Sequence, residues 1–183
     1  MKTPLASLLL LGLLAAAPAL PNLALAQGQE SGTASTSRKG ASGLPVPRFV
    51  SLKSSRVNVR KGPSTEHAVA WVFSQAGLPI EVISEFENWR QVRDSEGSEG
   101  WIFHALLSGR RTGVIMPWVK EKQEVVLHNG RSASSAVVAR VETGVLGTLV
   151  SCDGEWCEFT VNGYSGFIEQ ERLWGVYRGE LIN

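Results

Sequence analysis

The chain has 183 residues, with 18 Lys and Arg against 17 Asp and Glu, a formal charge of +1. Lys2 is the sole charged side chain in the first 26 residues, so the remainder is formally neutral. Neutrality excludes a general polyanion binder, which needs a clustered basic excess, and leaves the adjacent Arg110 and Arg111 as solvated surface; no nucleic acid is expected as a partner.

Residues 1–26 read as a secretory signal peptide. Lys2 precedes an apolar run from Leu5 to Ala17, and Pro18 and Pro21 break any helix. Ala24-Leu25-Ala26 sets small residues before a cleavage point between Ala26 and Gln27. An N-terminal membrane anchor is the alternative, since Pro4 to Ala26 is long enough to cross a bilayer. The prolines and the Ala-x-Ala ending weigh against it. A periplasmic protein is expected, without membrane attachment after cleavage. Residues 27–47 are rich in Gly, Ser, Thr, Ala and Gln and lack an apolar period. They are expected to form a flexible tether, with order beginning at Arg48.

From there one pattern occurs twice. RVNVRKGPS, AGLPIEVIS, EFENWR and EGWIFHALL in residues 56–107 are answered by EVVLHNGRS, TGVLGTLVS, CDGEWC and SGFIEQERL in residues 124–173. Val59 matches Leu127 at a spacing of 68, Trp89 matches Trp156 at 67, and Trp101 matches Phe167 at 66. The slips fall among turn formers, where length changes are tolerated.

Each copy reads as β. Val57 and Val59 alternate with Asn58 and Arg60, and Gly62-Pro63 closes the strand. Val69, Trp71 and Phe73 mark a second strand, and Leu78, Ile80 and Val82 a third. Asn88 tips a hairpin that returns through Trp89–Arg93, and Trp101-Ile102-Phe103 closes the copy before a helical turn at 105–107. Short strands at this density predict a small barrel. The expected fold is all-β: a first barrel at 48–109, a bridge at 110–121, a second barrel at 122–178 and a tail at 179–183. The bridge holds Val114-Ile115-Met116 and Trp118, so it is expected to pack against one or both barrels.

Cys152 and Cys157 flank the hairpin tip of the second copy. Across an antiparallel pair they lie within disulfide reach, and an exported protein meets an oxidising compartment, so a bond is expected. A metal site lacks further ligands at suitable spacing, and a catalytic thiol would be quenched by its neighbour. The matching positions in the first copy are Glu85 and Arg90, read as a solvent-exposed ion pair on the same rung.

The segments VNVRKGPS, ENWRQVRDSEGSEGWI and LLSGRR in the first copy, with CDGEWC and NGYSGFIEQERLWGVY in the second, resemble the bacterial SH3-like (SH3b) family in its tandem exported form. The resemblance implies barrels of about five to seven strands, no cofactor, no intrinsic catalysis and a role in binding peptides or cell-wall material. The second copy departs from the pattern: Asn58, Arg60 and Pro63 give way to Val126, His128 and Arg131.

Candidate site residues follow from chemistry and repetition. Arg60 is suited to clamp a carboxylate bidentately, with a local ion pair as the plain alternative. Trp71 and Trp118 have no tryptophan partner in the other copy, so packing explains them less readily than Trp89 or Trp156. Asn58, Arg60, Trp71, Trp101 and Phe103 are the proposed ligand contacts; Trp118, Trp174 and Tyr177 are the proposed partner interface. His67, His104 and His128 fit no triad, and no phosphate loop, metal motif or Cys-x-x-Cys occurs. The expectation is a non-enzymatic periplasmic adaptor for peptidoglycan stem peptide or an extended protein segment, with no cofactor or metal. A scaffold of an envelope complex is the alternative, a cell-wall hydrolase the remote one. Oligomeric state stays open.

Overall fold

The computed structural model describes residues 38–183. The expected signal peptide, its cut between Ala26 and Gln27, and tether residues 27–37 lie outside the described residues. Regular structure among the described residues is all strand, save 3₁₀ turns at His104–Leu106 and Gln170–Arg172.

A hairpin comes first, with β1 (Arg38–Lys39) paired to β2 (Pro45–Val46). The tether expected to reach residue 47 therefore gives way earlier. Val46 joins the first core, and the amide and hydroxyl of Ser42 donate to the Glu85 carboxylate at 2.6 and 2.8 Å. Polar composition does not keep a segment loose when a buried carboxylate draws on its donors.

The first repeat follows as β3 (Arg48–Leu52), β4 (Val57–Arg60), β5 (Val69–Phe73), β6 (Pro79–Phe86), β7 (Trp89–Arg93), β8 (Glu99–Phe103) and β9 (Leu107–Ser108). Its antiparallel order is β5-β4-β8-β7-β6-β3-β9. The second repeat holds β10 (Thr112–Ile115), β11 (Glu124–His128), β12 (Val137–Glu142), β13 (Leu146–Asp153), β14 (Trp156–Val161), β15 (Tyr164–Glu169) and β16 (Leu173–Trp174). Their order, β12-β11-β15-β14-β13-β10-β16, repeats the first strand for strand. Even the register shifts recur, at Val59/Arg60 and Leu127/His128, and again at Val82/Ser84 and Leu149/Ser151.

Two boundaries move. Residues 112–115 are the opening strand of the second sheet, paired with β13 and β16, so this part of the expected bridge joins that repeat. The tail also belongs to it: β17 (Leu181–Ile182) pairs with β13 beside Cys152. Both pieces are too short to show a period, and their partner strands dictate their conformation.

Alternation fills two cores. Val57, Val59, Ile80, Val82, Val92 and Ile102 form the first; Leu127, Leu149, Phe159, Ile168 and the two cysteines sit in the second. Cys152 and Cys157 face each other on one rung of β13–β14 and are bonded. Glu85 and Arg90 hold the matching rung of β6–β7. That pair is not solvent-exposed as expected: the Glu85 side chain is 0% exposed, and Arg48 at 2.7 Å joins Arg90 at 3.2 Å against it. The β1–β2 hairpin, unforeseen from sequence, supplies the cover.

The repeats meet along a seam. Phe49 of β3 packs against Trp174 at 5.0 Å and Tyr177 at 4.7 Å between ring centroids. Trp174 Nε1 donates to the Pro79 carbonyl at 3.2 Å, the Tyr177 hydroxyl to Glu81 at 3.0 Å, and the Thr112 hydroxyl to the Gly77 carbonyl at 2.7 Å. Gly175, at φ +117°, presses so close to the Thr112 carbonyl that a side chain there would collide with it. Trp174 and Tyr177, expected to meet a partner protein, are thus spent within the molecule, because bringing two barrels together needs buried aromatic area of its own. Burial, with Glu81 beside it, pushes the Tyr177 hydroxyl pKa well above the usual tyrosine range.

Candidate ligand-binding grooves

In β4, Val57 and Val59 point inward, which turns Asn58 and Arg60 outward. In β8, Gly100 and Ile102 point inward, which turns Trp101 and Phe103 outward. Gly100 is required at that crossing, since a Cβ there would overlap Val59. Trp89 lies opposite Phe103 on the neighbouring strand, with ring centroids 5.7 Å apart, edge to face. Between this aromatic pair and the loop after β4 opens a groove of about 460 Å³, lined by Asn58, Arg60, Thr65, Glu87, Trp89 and Phe103 among others.

Arg60 is held by its own loop: Nη1 donates to the His67 carbonyl at 2.7 Å. It makes no ion pair among the described residues, so the guanidinium keeps donors for a ligand. Glu87, at φ +47° on the hairpin tip, adds a carboxylate to the lining. The groove therefore offers a cation, an anion and an aromatic ledge within one concavity.

Of the proposed contacts, the structure brings Asn58, Arg60 and Phe103 together there. Trp71 does not line it. That residue faces the core from β5, packs edge to face with Phe73 at 6.1 Å between ring centroids and buries its Nε1 without a hydrogen-bond acceptor among the described residues. Trp101 pairs with Arg60 and Gln91 in the ladder but lies beside the groove. Trp118 is exposed and lies outside both grooves. Trp89, read from repetition as a core support, forms part of the groove wall while only 8% exposed. Its place opposite Phe103 was readable, because it alternates with Gln91 and Arg93 on the polar side of β7.

The second repeat carries a concavity of about 190 Å³ at the corresponding positions. Val126 replaces Asn58, His128 replaces Arg60, Ala133 replaces Thr65, Trp156 replaces Trp89 and Glu169 replaces Phe103. His128 Nδ1 lies 2.9 Å from the Ser135 carbonyl, the same bond that Arg60 makes to His67, so Nδ1 carries the hydrogen. Asp153 braces the hairpin beneath: the Trp156 and Glu155 amides donate to it and, against slight desolvation, hold its carboxyl below the usual range, with Arg131 at 3.0 Å assisting. Among the described residues, no three His, Cys, Asp or Glu side chains gather as metal ligands.

Two sheets that share one seven-strand order, the second extended to eight strands by β17, each with an outward groove beside its β4–β5 or β11–β12 hairpin, define a tandem small-β-barrel protein. The bacterial SH3 domain model matches residues 53–109 and again 121–175, and the chain belongs to that family. Both matches begin after β3 and β10, strands that the structure adds to each repeat. No curated protein matches in sequence. Among solved structures, NlpC2 from Trichomonas vaginalis is similar at 15% identity and TM-score 0.31, over 70% of this chain and 48% of that one. NlpC1 from the same organism matches at 16% identity and TM-score 0.31, over 69% and 45%. An NlpC/P60 family protein from Bacillus cereus matches at 13% identity and TM-score 0.31, over 72% and 57%. The chain spans about half the length of these structures.

Proposed function

We propose that this protein is a non-catalytic adaptor of the bacterial envelope that holds an extended peptide in the groove of its first repeat, with peptidoglycan stem peptide as the favoured ligand. The observation that carries this reading is Arg60, fixed by its loop yet without an ion pair among the described residues, beside the Trp89–Phe103 ledge. A guanidinium with free donors suits a ligand carboxylate, and the aromatic ledge suits the apolar or glycosidic stretch next to it. Export through the N-terminal segment, and periplasmic residence, belong to the same proposal.

The test is retention on purified sacculi, followed by titration with a soluble stem peptide. Arg60→Ala and Phe103→Ala are each expected to weaken binding about tenfold or more. No retention by the unmodified protein, or equal retention by both variants, overturns the reading. A scaffold role for an envelope complex is favoured by one observation, the exposed Trp118 at 51%. Crosslinking from position 118 in intact cells, with a protein captured and sacculi ignored, would select it.

A further inference from the structure

We infer that the first groove selects a zwitterionic ligand residue, one that presents a primary ammonium as well as a carboxylate, and that Glu87 reads the ammonium. This rests on the reading above, which assigns Arg60 to the carboxylate. It adds a second charge that the ligand must carry.

Arg60 and Glu87 are the charged side chains of this lining, one of each sign. Neither makes an ion pair among the described residues, so they do not neutralise each other within the groove. Each is anchored apart from the other. Arg60 is tied to the His67 carbonyl at 2.7 Å, and the Glu87 carbonyl accepts from Arg90 Nη1 at 2.9 Å, which pins the hairpin tip. The groove of the second repeat differs, since its Glu169 is paired with Arg172 of the same lining.

Two unpaired charges of opposite sign set a rule for the ligand. A lone carboxylate drawn to Arg60 also enters the repulsive field of Glu87, and a lone ammonium near Glu87 meets that of Arg60. A residue carrying both charges gains at both positions, so the pair discriminates against singly charged competitors.

The backbone gives Glu87 a separate mark. It holds φ +47°, a left-handed conformation that is costly for a residue with a Cβ. The matching position of the second repeat is Gly154 at φ +100°, and glycine meets this demand at no steric cost. The first repeat thus keeps a glutamate at a turn that glycine serves in its duplicate, and strain of this kind collects at ligand clamps. Arg60 gives way to His128 in the same copy, so the two charged partners belong to the first repeat together.

The test is a titration of the isotope-labelled full chain with three probes, followed at the Trp89 indole N–H signal. Nα-acetyl-lysine carries both charges, its Nε-acetylated form only the carboxylate, and its amide only the ammonium. The first is expected to move the signal to saturation, with a Kd about tenfold below that of either other probe. Glu87→Gln is expected to erase the preference over the Nε-acetylated form. Glu87→Gly is expected to erase it as well while raising Tm by about 2 °C, a gain that a purely structural glutamate would not trade against affinity. Equal Kd values for the three probes, a preference that survives Glu87→Gln, or a Trp89 signal that no probe moves overturns the inference. Comparing the probes needs no substitution, so it decides the matter even where a variant misfolds. Arg60-dependent retention on sacculi without a preference among the probes sinks this inference alone; no retention sinks the reading beneath it.

Discussion

Glu85 lies out of water between Arg48, Arg90 and the Ser42 amide and hydroxyl. Burial alone would push its carboxyl up; the Ser42 donors and Arg48 outweigh burial and hold it below the usual range. A carboxyl depressed in the folded state contributes stability above its unfolded pKa and loses it as pH falls through the folded one. Glu85→Gln is therefore expected to lower Tm at neutral pH and to converge with the parent protein as pH falls through the acid range, checked by thermal melts across pH. At this scale the sequence showed half of the groove. Asn58, Arg60 and Phe103 were legible because strand alternation dictates which side faces out. Trp71 and Trp89 exchanged roles: the inner face of the edge strand β5 depends on what covers it, whereas Trp89 sits on the interior strand β7 and follows the outward alternation that repetition alone had hidden. Arg60 likewise found a backbone carbonyl of its own loop, a partner that charge counting does not reveal.

The β13–β14 hairpin is tied by Cys152 and Cys157 where β6–β7 relies on Glu85 and Arg90. Closing so short a ring removes loop entropy from the unfolded chain, a contribution of roughly 2 kcal/mol. Cys152→Ala with Cys157→Ala is expected to lower the free energy of unfolding by about that amount. Guanidinium titrations check it, and the parent protein under reductant should approach the variant. The rung was legible because matching residues recur on one register and the hairpins announce themselves through turn formers. The strands β1, β10 and β17 were not, since two to four residues carry no readable period. Each forms because a neighbouring strand offers unpaired backbone groups, a property of the assembled sheet.

Duplication was the most legible feature of the whole molecule; the way the copies join was the least. The seam rests on Phe49, Trp174 and Tyr177, with Phe49 well over a hundred positions from the other two. Nothing local distinguishes a tryptophan spent there from one left for a partner. Gly175→Ala meets both a left-handed backbone and a carbonyl in the way, so it is expected to cost about 2 kcal/mol or more. Denaturant unfolding measures the loss, and a broadened or split transition would show the copies melting apart.

The packing of Phe49 between Trp174 and Tyr177 also sets a yardstick. Barrels strung on a loose linker would sample every spacing, whereas here the outward concavities of the two copies are held at a constant span. Any long molecule that touched both copies would meet them at that one separation.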